Sequence, residues 1–233
     1  MRIAEIYASL QGEGLLAGTP SVFVRTSGCN LRCHWCDTPF TSWEPVGTHR
    51  TVAEVAAAVA ALAPSHVVIT GGEPLLVAEV ADLCRRLRDA GRHVTIETAG
   101  TVFLDVAADL MSISPKLASS APPASTPGDW AGRHEAARRR DDVLLALMRG
   151  RDYQLKFVID SPADLTAALA WIDDLDAGRP GGVDRGRVLF MPQGREPREL
   201  ARTVAWLEPE CRGRGIHLAH RFHIAWFGHT RGT

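Results

Sequence analysis

SVFVRTSGCNLRCHWCDTPFTSW, Ser21 to Trp43, decides how the chain is read. Its first part is an apolar run that reads as a buried strand from Ser21 to Gly28. At that strand's end stand three of the chain's five cysteines, Cys29, Cys33 and Cys36, spaced C-x3-C-x2-C. In a reducing compartment such crowding points to metal or catalysis rather than disulfides. Three thiolates are one ligand short of a closed structural zinc site, which His34 or His49 could complete. The other reading is a cubane iron–sulfur cluster held at three irons, with the fourth iron open. Structural zinc usually arrives as two separated ligand pairs, and the compact triplet has no second pair.

Five more strand-like runs follow: HVVITGG (His66 to Gly72), HVTIETAG (His93 to Gly100), DLMSISPK (Asp109 to Lys116), YQLKFVID (Tyr153 to Asp160) and RVLFMPQG (Arg187 to Gly194). Helical signals lie between them. Thr51 and Glu54 form a capping box ahead of Val52, Val55, Val59 and Leu62. EPLLVAEVADLCRRLRDAG supplies a second helix, with Cys84 as a core thiol. Ser161 and Pro162 open a third, striped by Leu165, Leu169 and Ile172. Leu200, Val204 and Leu207 mark a fourth. Alternating strands and helices predict βαβ units and a mostly parallel open sheet. Six units fall short of a closed eightfold barrel. The predicted fold class is therefore α/β, a partial (β/α)6 barrel forming a single domain over residues 1–233. Leu117 to Gly132 reads as a mobile loop, RHEAARRR as a solvated helix face, and residues 216–233 as a C-terminal closing segment.

The 233 residues are 45% hydrophobic with a formal net charge of -1. That allows a sizeable core and lacks the basic footprint of a nucleic-acid binder. No run approaches the ~18 apolar residues of a membrane span. The opening MRIAEIYASLQGEG lacks the apolar centre of a secretory signal. A cytoplasmic protein with no nucleic-acid or membrane partner is expected. In parallel α/β folds, ligands gather at the carboxyl ends of strands. Those ends read GCNLRC, TGGEP, ETAGT, SPK and MPQG, so several of them are expected to converge on one pocket.

The cysteine triplet after one strand, with TGGEP (Thr70 to Pro74) after the next, resembles the radical S-adenosylmethionine superfamily. More narrowly, YASLQGEG with the cysteine loop, TGGEPLL, IETAGT, SISPK and LKFVI resemble the 7-carboxy-7-deazaguanine synthase family, from Glu5 to about Trp226. The resemblance implies a 4Fe-4S cluster on Cys29, Cys33 and Cys36, with S-adenosylmethionine chelating the open iron. It implies reductive cleavage of that cofactor and hydrogen abstraction from C6 of 6-carboxy-5,6,7,8-tetrahydropterin. Ring contraction and loss of ammonia then yield 7-carboxy-7-deazaguanine, which feeds queuosine and related deazapurines.

By the same resemblance Trp35, Cys36, Asp37, Gly72, Ser114, Pro115, Lys116, Met191, Pro192, Gln193 and Gly194 border S-adenosylmethionine. Leu10, Gln11, Gly12, Glu13, Arg25, Thr70 and Trp226 border the substrate. Arg25 can pair with its carboxylate in a bidentate fork, and Gln11 suits the pterin edge. The Thr38 hydroxyl is the implied Mg2+ ligand, completed by the substrate carboxylate. The implied partners are a reductant protein such as a flavodoxin or ferredoxin, and a second copy of the chain in a homodimer. Two other classes share part of the pattern: a glycyl-radical enzyme activase, which has the triplet but not SLQGEG, and a zinc-stabilised binding module.

Overall fold

The computed structural model describes residues 1–233. The chain begins with β1 (Arg2–Leu10), β2 (Pro20–Thr26), α1 (Pro39–Ser42), β3 (Thr48–His49) and α2 (Val52–Ala60). It continues through β4 (His66–Gly71), α3 (Val80–Asp89), β5 (His93–Thr98), β6 (Leu110–Ile113), α4 (Trp130–Arg138) and α5 (Asp141–Met148). The last third holds β7 (Tyr153–Ile159), α6 (Pro162–Ala177), β8 (Val188–Pro192), α7 (Pro197–Arg214), β9 (His217–Leu218) and α8 (Phe222–Phe227).

All the strands join one open sheet in the order β3-β1-β2-β4-β5-β6-β7-β8-β9. From β2 to β9 every neighbouring pair is parallel. β1 pairs antiparallel with β2 and β3. The six predicted strands are the parallel centre, and the α/β partial-barrel class holds. Two predicted helix starts also hold. Thr51 and Glu54 make a reciprocal capping box on α2, and Ser161 makes one with Asp164 on α6. No helix is long and apolar enough to cross a membrane.

Three strands were not predicted: β1, β3 and β9. β1 is the consequential one. Its sequence, RIAEIYASL, does not alternate cleanly between apolar and polar, and a register shift interrupts its pairing between Ile3 and Glu5. Glu5 and Tyr7 on this strand face a cleft, so polar residues stand where a core strand would carry apolar ones.

Side chains alternate across a strand with a period of two. One set packs against the helices: Val22 and Val24, Val67 and Ile69, Val94 and Ile96, Met111 and Ile113, Leu155 and Phe157, Val188 and Phe190. These join Val55, Leu83, Leu144, Ile172 and Leu207 from the helices in one buried core. The other set includes Arg25, Thr70, Glu97, Ser112, Lys156 and Met191, and it faces the concave side. The sheet thus separates an apolar core from a polar cleft.

Candidate active site

The cleft holds about 500 Å³ and opens at the carboxyl ends of the parallel strands. Cys29, Cys33 and Cys36 line one wall. Their loop leaves β2 at Gly28, whose φ of +115° favours glycine. The loop is held mainly through its backbone. The Trp43 indole donates to the Cys33 carbonyl (3.0 Å), Arg195 to the Cys36 carbonyl (2.7 Å), and the His34 amide to the Ser120 carbonyl (3.1 Å). The thiols themselves have few partners: the Leu31 amide donates to Cys29 Sγ (3.4 Å), and Cys36 Sγ meets the Ser42 hydroxyl (3.3 Å).

Burial pushes the Cys29 thiol up to about 12 and Cys33 up to about 11, and the neighbouring Cys36 adds to both. A bound cationic centre would reverse this and draw out the thiolates. The donor set fits a cluster better than a single ion. No group of three His, Cys, Asp or Glu side chains is close enough to hold one metal ion. His34 is exposed, and His49 lies on β3 at the sheet edge.

TGGEP follows β4 and packs onto the cysteine loop. A Cβ on Gly72 would stand 2.1 Å from the Gly28 carbonyl oxygen and 2.9 Å from Cys29 Cβ, so no side chain fits there. The Glu73 amide donates to that same Gly28 carbonyl (2.9 Å). Gly72 thus lets the backbone of this turn lie directly against the backbone of the cysteine loop. Glu73 itself is fully buried and accepts from Thr98 Oγ1 (2.7 Å), the Ala99 amide (2.8 Å) and the Leu75 amide (3.1 Å). It ties the ends of β4 and β5 together.

The opposite side of the cleft is charged. Lys156 pairs with Glu13. Arg221 reaches Glu13 (3.3 Å), Asp37 (2.5 Å) and the Gly194 carbonyl. Burial alone would raise the Glu13 pKa, but the charges of Lys156, Arg221 and His223 overcome it and hold the carboxyl well below its usual range. The Gln11 amide donates to Glu97 (3.0 Å). Arg25 donates to Glu5 (2.7 Å) and to the Tyr7 hydroxyl (2.9 Å). Lys116 donates to the carbonyl and hydroxyl of Ser114 (2.9 and 2.8 Å) and stands over the Trp35 ring.

Thr38 precedes α1, but its side chain makes no capping hydrogen bond. Its hydroxyl faces the cleft, 3.9 Å from Cys36 Sγ and 3.2 Å from the Thr41 hydroxyl. One hydroxyl does not hold Mg2+ unaided, since that ion wants six oxygens and is usually completed by water and an anionic substrate.

The cleft gathers Leu10, Gln11, Gly12, Glu13, Arg25, Cys29, Cys33, Trp35, Cys36, Asp37, Thr38, Thr70, Gly72, Ser114, Lys116 and Met191. Pro115, Pro192, Gln193 and Gly194 lie off its lining; Gly194 contributes instead by accepting from Arg221. Trp226 is a correction. α8 leaves it off the cleft lining, where it stacks on Phe222 at 5.3 Å and is 41% exposed. The segment's cleft residues are Arg221 and His223, with His229 to Thr233. His223 seats beside Gly12, where a Cβ would come within 2.5 Å of it.

Sequence reasoning missed Glu5, Tyr7, Glu97, Lys156, Arg195 and Arg221. Two of them carried a readable signal. Glu97 and Lys156 interrupt otherwise apolar parallel strands, and a charge placed there must be paired or functional.

The sequence profile of the radical SAM superfamily matches residues 23–118. A 7-carboxy-7-deazaguanine synthase from Rhodopirellula baltica is 43% identical, over 99% of this chain and 88% of its own. One from Halobacterium salinarum is 44% identical, over 96% and 89%. The crystal structure of QueE from Escherichia coli shares the fold, with a TM-score of 0.67 and 24% identity over 95% of this chain and 94% of that one. With a thiol triplet, a glycine turn and a polar cleft at one set of strand ends, and with near-full-length relatives above 40% identity, the chain belongs to the 7-carboxy-7-deazaguanine synthase family of radical S-adenosylmethionine enzymes.

Proposed function

We propose that the chain converts 6-carboxy-5,6,7,8-tetrahydropterin to 7-carboxy-7-deazaguanine in the cleft between the cysteine loop and β1. The observation that carries this reading is one cavity lined both by a thiol triplet and by Gln11 and Glu97. Cys29, Cys33 and Cys36 would hold the 4Fe-4S cluster; Trp35, Gly72, Ser114 and Lys116 would border S-adenosylmethionine. When bound, these two groups together supply a 5'-deoxyadenosyl radical on one-electron reduction.

The protein's own contribution is binding and orientation. A pterin's 2-amino-4-oxo edge presents adjacent N–H donors, and the Glu97 carboxylate accepts from such an edge. Gln11, held at 3.0 Å from Glu97, fixes that carboxylate's orientation. Lys156 and Arg221, with Glu13 and Asp37, form a charge-balanced wall that keeps its geometry when substrate displaces water. Mg2+ would sit at Thr38 and share the substrate carboxylate, acting as a Lewis acid and as a positioning device. A small reductant protein and a second copy of the chain belong to the same reading.

Glu97 provides the test. With anaerobically reconstituted holoenzyme, Glu97→Gln should weaken binding of 6-carboxytetrahydropterin by about tenfold or more, because an amide cannot accept from two donors as a carboxylate does. Equal affinity of variant and wild type would remove the pterin edge from this wall.

A further inference from the structure

Glu5 divides its carboxylate between two arginines. Oε1 accepts from Arg25 Nε (2.7 Å) and Oε2 from Arg231 Nε (2.8 Å). Arg25 spends a second nitrogen on the Tyr7 hydroxyl (2.9 Å). Arg231 lies over the Phe40 ring, 4.0 Å from its centroid, and its two terminal nitrogens take no partner. All five residues line the cleft.

The cations elsewhere on the cleft have fixed partners. Lys156 and Arg221 both sit on Glu13, and Arg221 also sits on Asp37. Lys116 is held by Ser114 on the cysteine side, beside Trp35. Asp37 is shared by Arg221 and Arg195 as Glu5 is by Arg25 and Arg231, but of the arginines lining the cleft only Arg231, on the β1 wall, leaves both terminal nitrogens without a protein partner; that wall carries two guanidiniums on one carboxylate. It therefore keeps a net positive charge and an unused two-nitrogen fork. A planar fork with two free N–H edges matches a carboxylate. Thr38 is two residues before Phe40, so this wall adjoins the proposed Mg2+ position.

We propose that Arg231 is a specificity-determining residue, reading the substrate's carboxylate with Arg25 behind it. Glu5 positions both arginines and tempers their charge. The aromatic face of Phe40 fixes the plane of Arg231, whose half-exposed side chain stands at the cleft mouth where an entering carboxylate meets it. The C-terminal segment thereby supplies part of the substrate site. This inference rests on the pterin reading above.

The experiment compares two ligands on the holoenzyme: 6-carboxytetrahydropterin and its neutral 6-carboxamide counterpart, nearly identical in shape. Wild type should prefer the carboxylate. Arg231→Ala should shrink that preference about tenfold, chiefly through the carboxylate's affinity and with KM affected more than kcat. Arg231→Lys should keep part of it, as a point charge without a fork. Glu5→Gln should move the preference the other way, because the competing anion is gone. An unchanged carboxylate-to-carboxamide ratio in Arg231→Ala would overturn the inference, whether or not both ligands weaken together. If wild type binds neither ligand, the pterin reading itself fails; if wild type prefers the carboxylate and Arg231→Ala does so equally, only the role of Arg231 fails.

Discussion

Thr38 shows what one hydroxyl can and cannot do. It precedes α1 without a side-chain cap, and its hydroxyl's near polar partner is the Thr41 hydroxyl at 3.2 Å. With only one neutral oxygen to offer, it is expected to matter for Mg2+ in the presence of substrate and not for the cluster. Thr38→Ala should retain iron and sulfide and should need about tenfold more Mg2+ for half-maximal stimulation of turnover, since water can replace one ligand of an octahedral ion. A magnesium titration that superimposes on wild type would return Thr38 to the role of a turn residue. At this scale the sequence was legible where residue type and spacing carry the chemistry, as in Cys29, Cys33 and Cys36. It was not legible where a residue's meaning depends on a distant partner. Arg25 reads as a free cation in sequence, yet β1 places Glu5 against it. Arg221 gives no local sign that it will join Glu13 to Asp37 across 184 residues of chain.

Elements repeat the pattern. The central strands were readable because their helix-facing positions carry Val, Ile, Leu, Met or Phe at every second residue. β1 was not, because its exposed wall is polar by function. The stretch from Leu117 to Gly132, proline-rich and without periodicity, leads into α4 and brings His134 behind the cysteine loop. His134 is fully buried; its Nδ1 accepts from the Arg32 amide (3.2 Å), and its Nε2 meets the Ser120 hydroxyl (3.0 Å). Ser120 in turn donates to the Leu117 carbonyl (2.6 Å). Burial, helped by Arg138, pushes the His134 pKa down to about 4. The unfolded chain then binds more protons than the native one between pH 4 and about 6.5. Stability contributed by the neutral ring is full above that window and lost as pH falls through it, by up to about 3 kcal/mol. His134→Asn should flatten this acid slope in denaturant midpoints compared at pH 7 and pH 5. An identical slope in wild type and variant would mean the ring titrates normally and does not brace the loop.

For the whole molecule, the fold matters because it brings distant strand ends to one place. The thiols come from the end of β2, the glycine turn from β4, Glu97 from β5, Lys156 from β7, and Arg221 and Arg231 from the last eighteen residues. Alternating strands and helices predicted that convergence, because a parallel open sheet puts all its carboxyl ends on one side. They did not predict how the C-terminal segment closes over it. That closure rests on buried ion pairs and on the Phe222 amide donating to the Gly12 carbonyl (2.9 Å), contacts made only after folding. The central claim is that one cleft carries out radical ring contraction of a carboxypterin. It is tested most directly by a single anaerobic incubation of reduced, reconstituted protein with S-adenosylmethionine, Mg2+ and 6-carboxytetrahydropterin, followed by mass spectrometry. The account predicts 7-carboxy-7-deazaguanine, formed by wild type and not by Cys33→Ala; 5'-deoxyadenosine accumulating beside untouched pterin would contradict it.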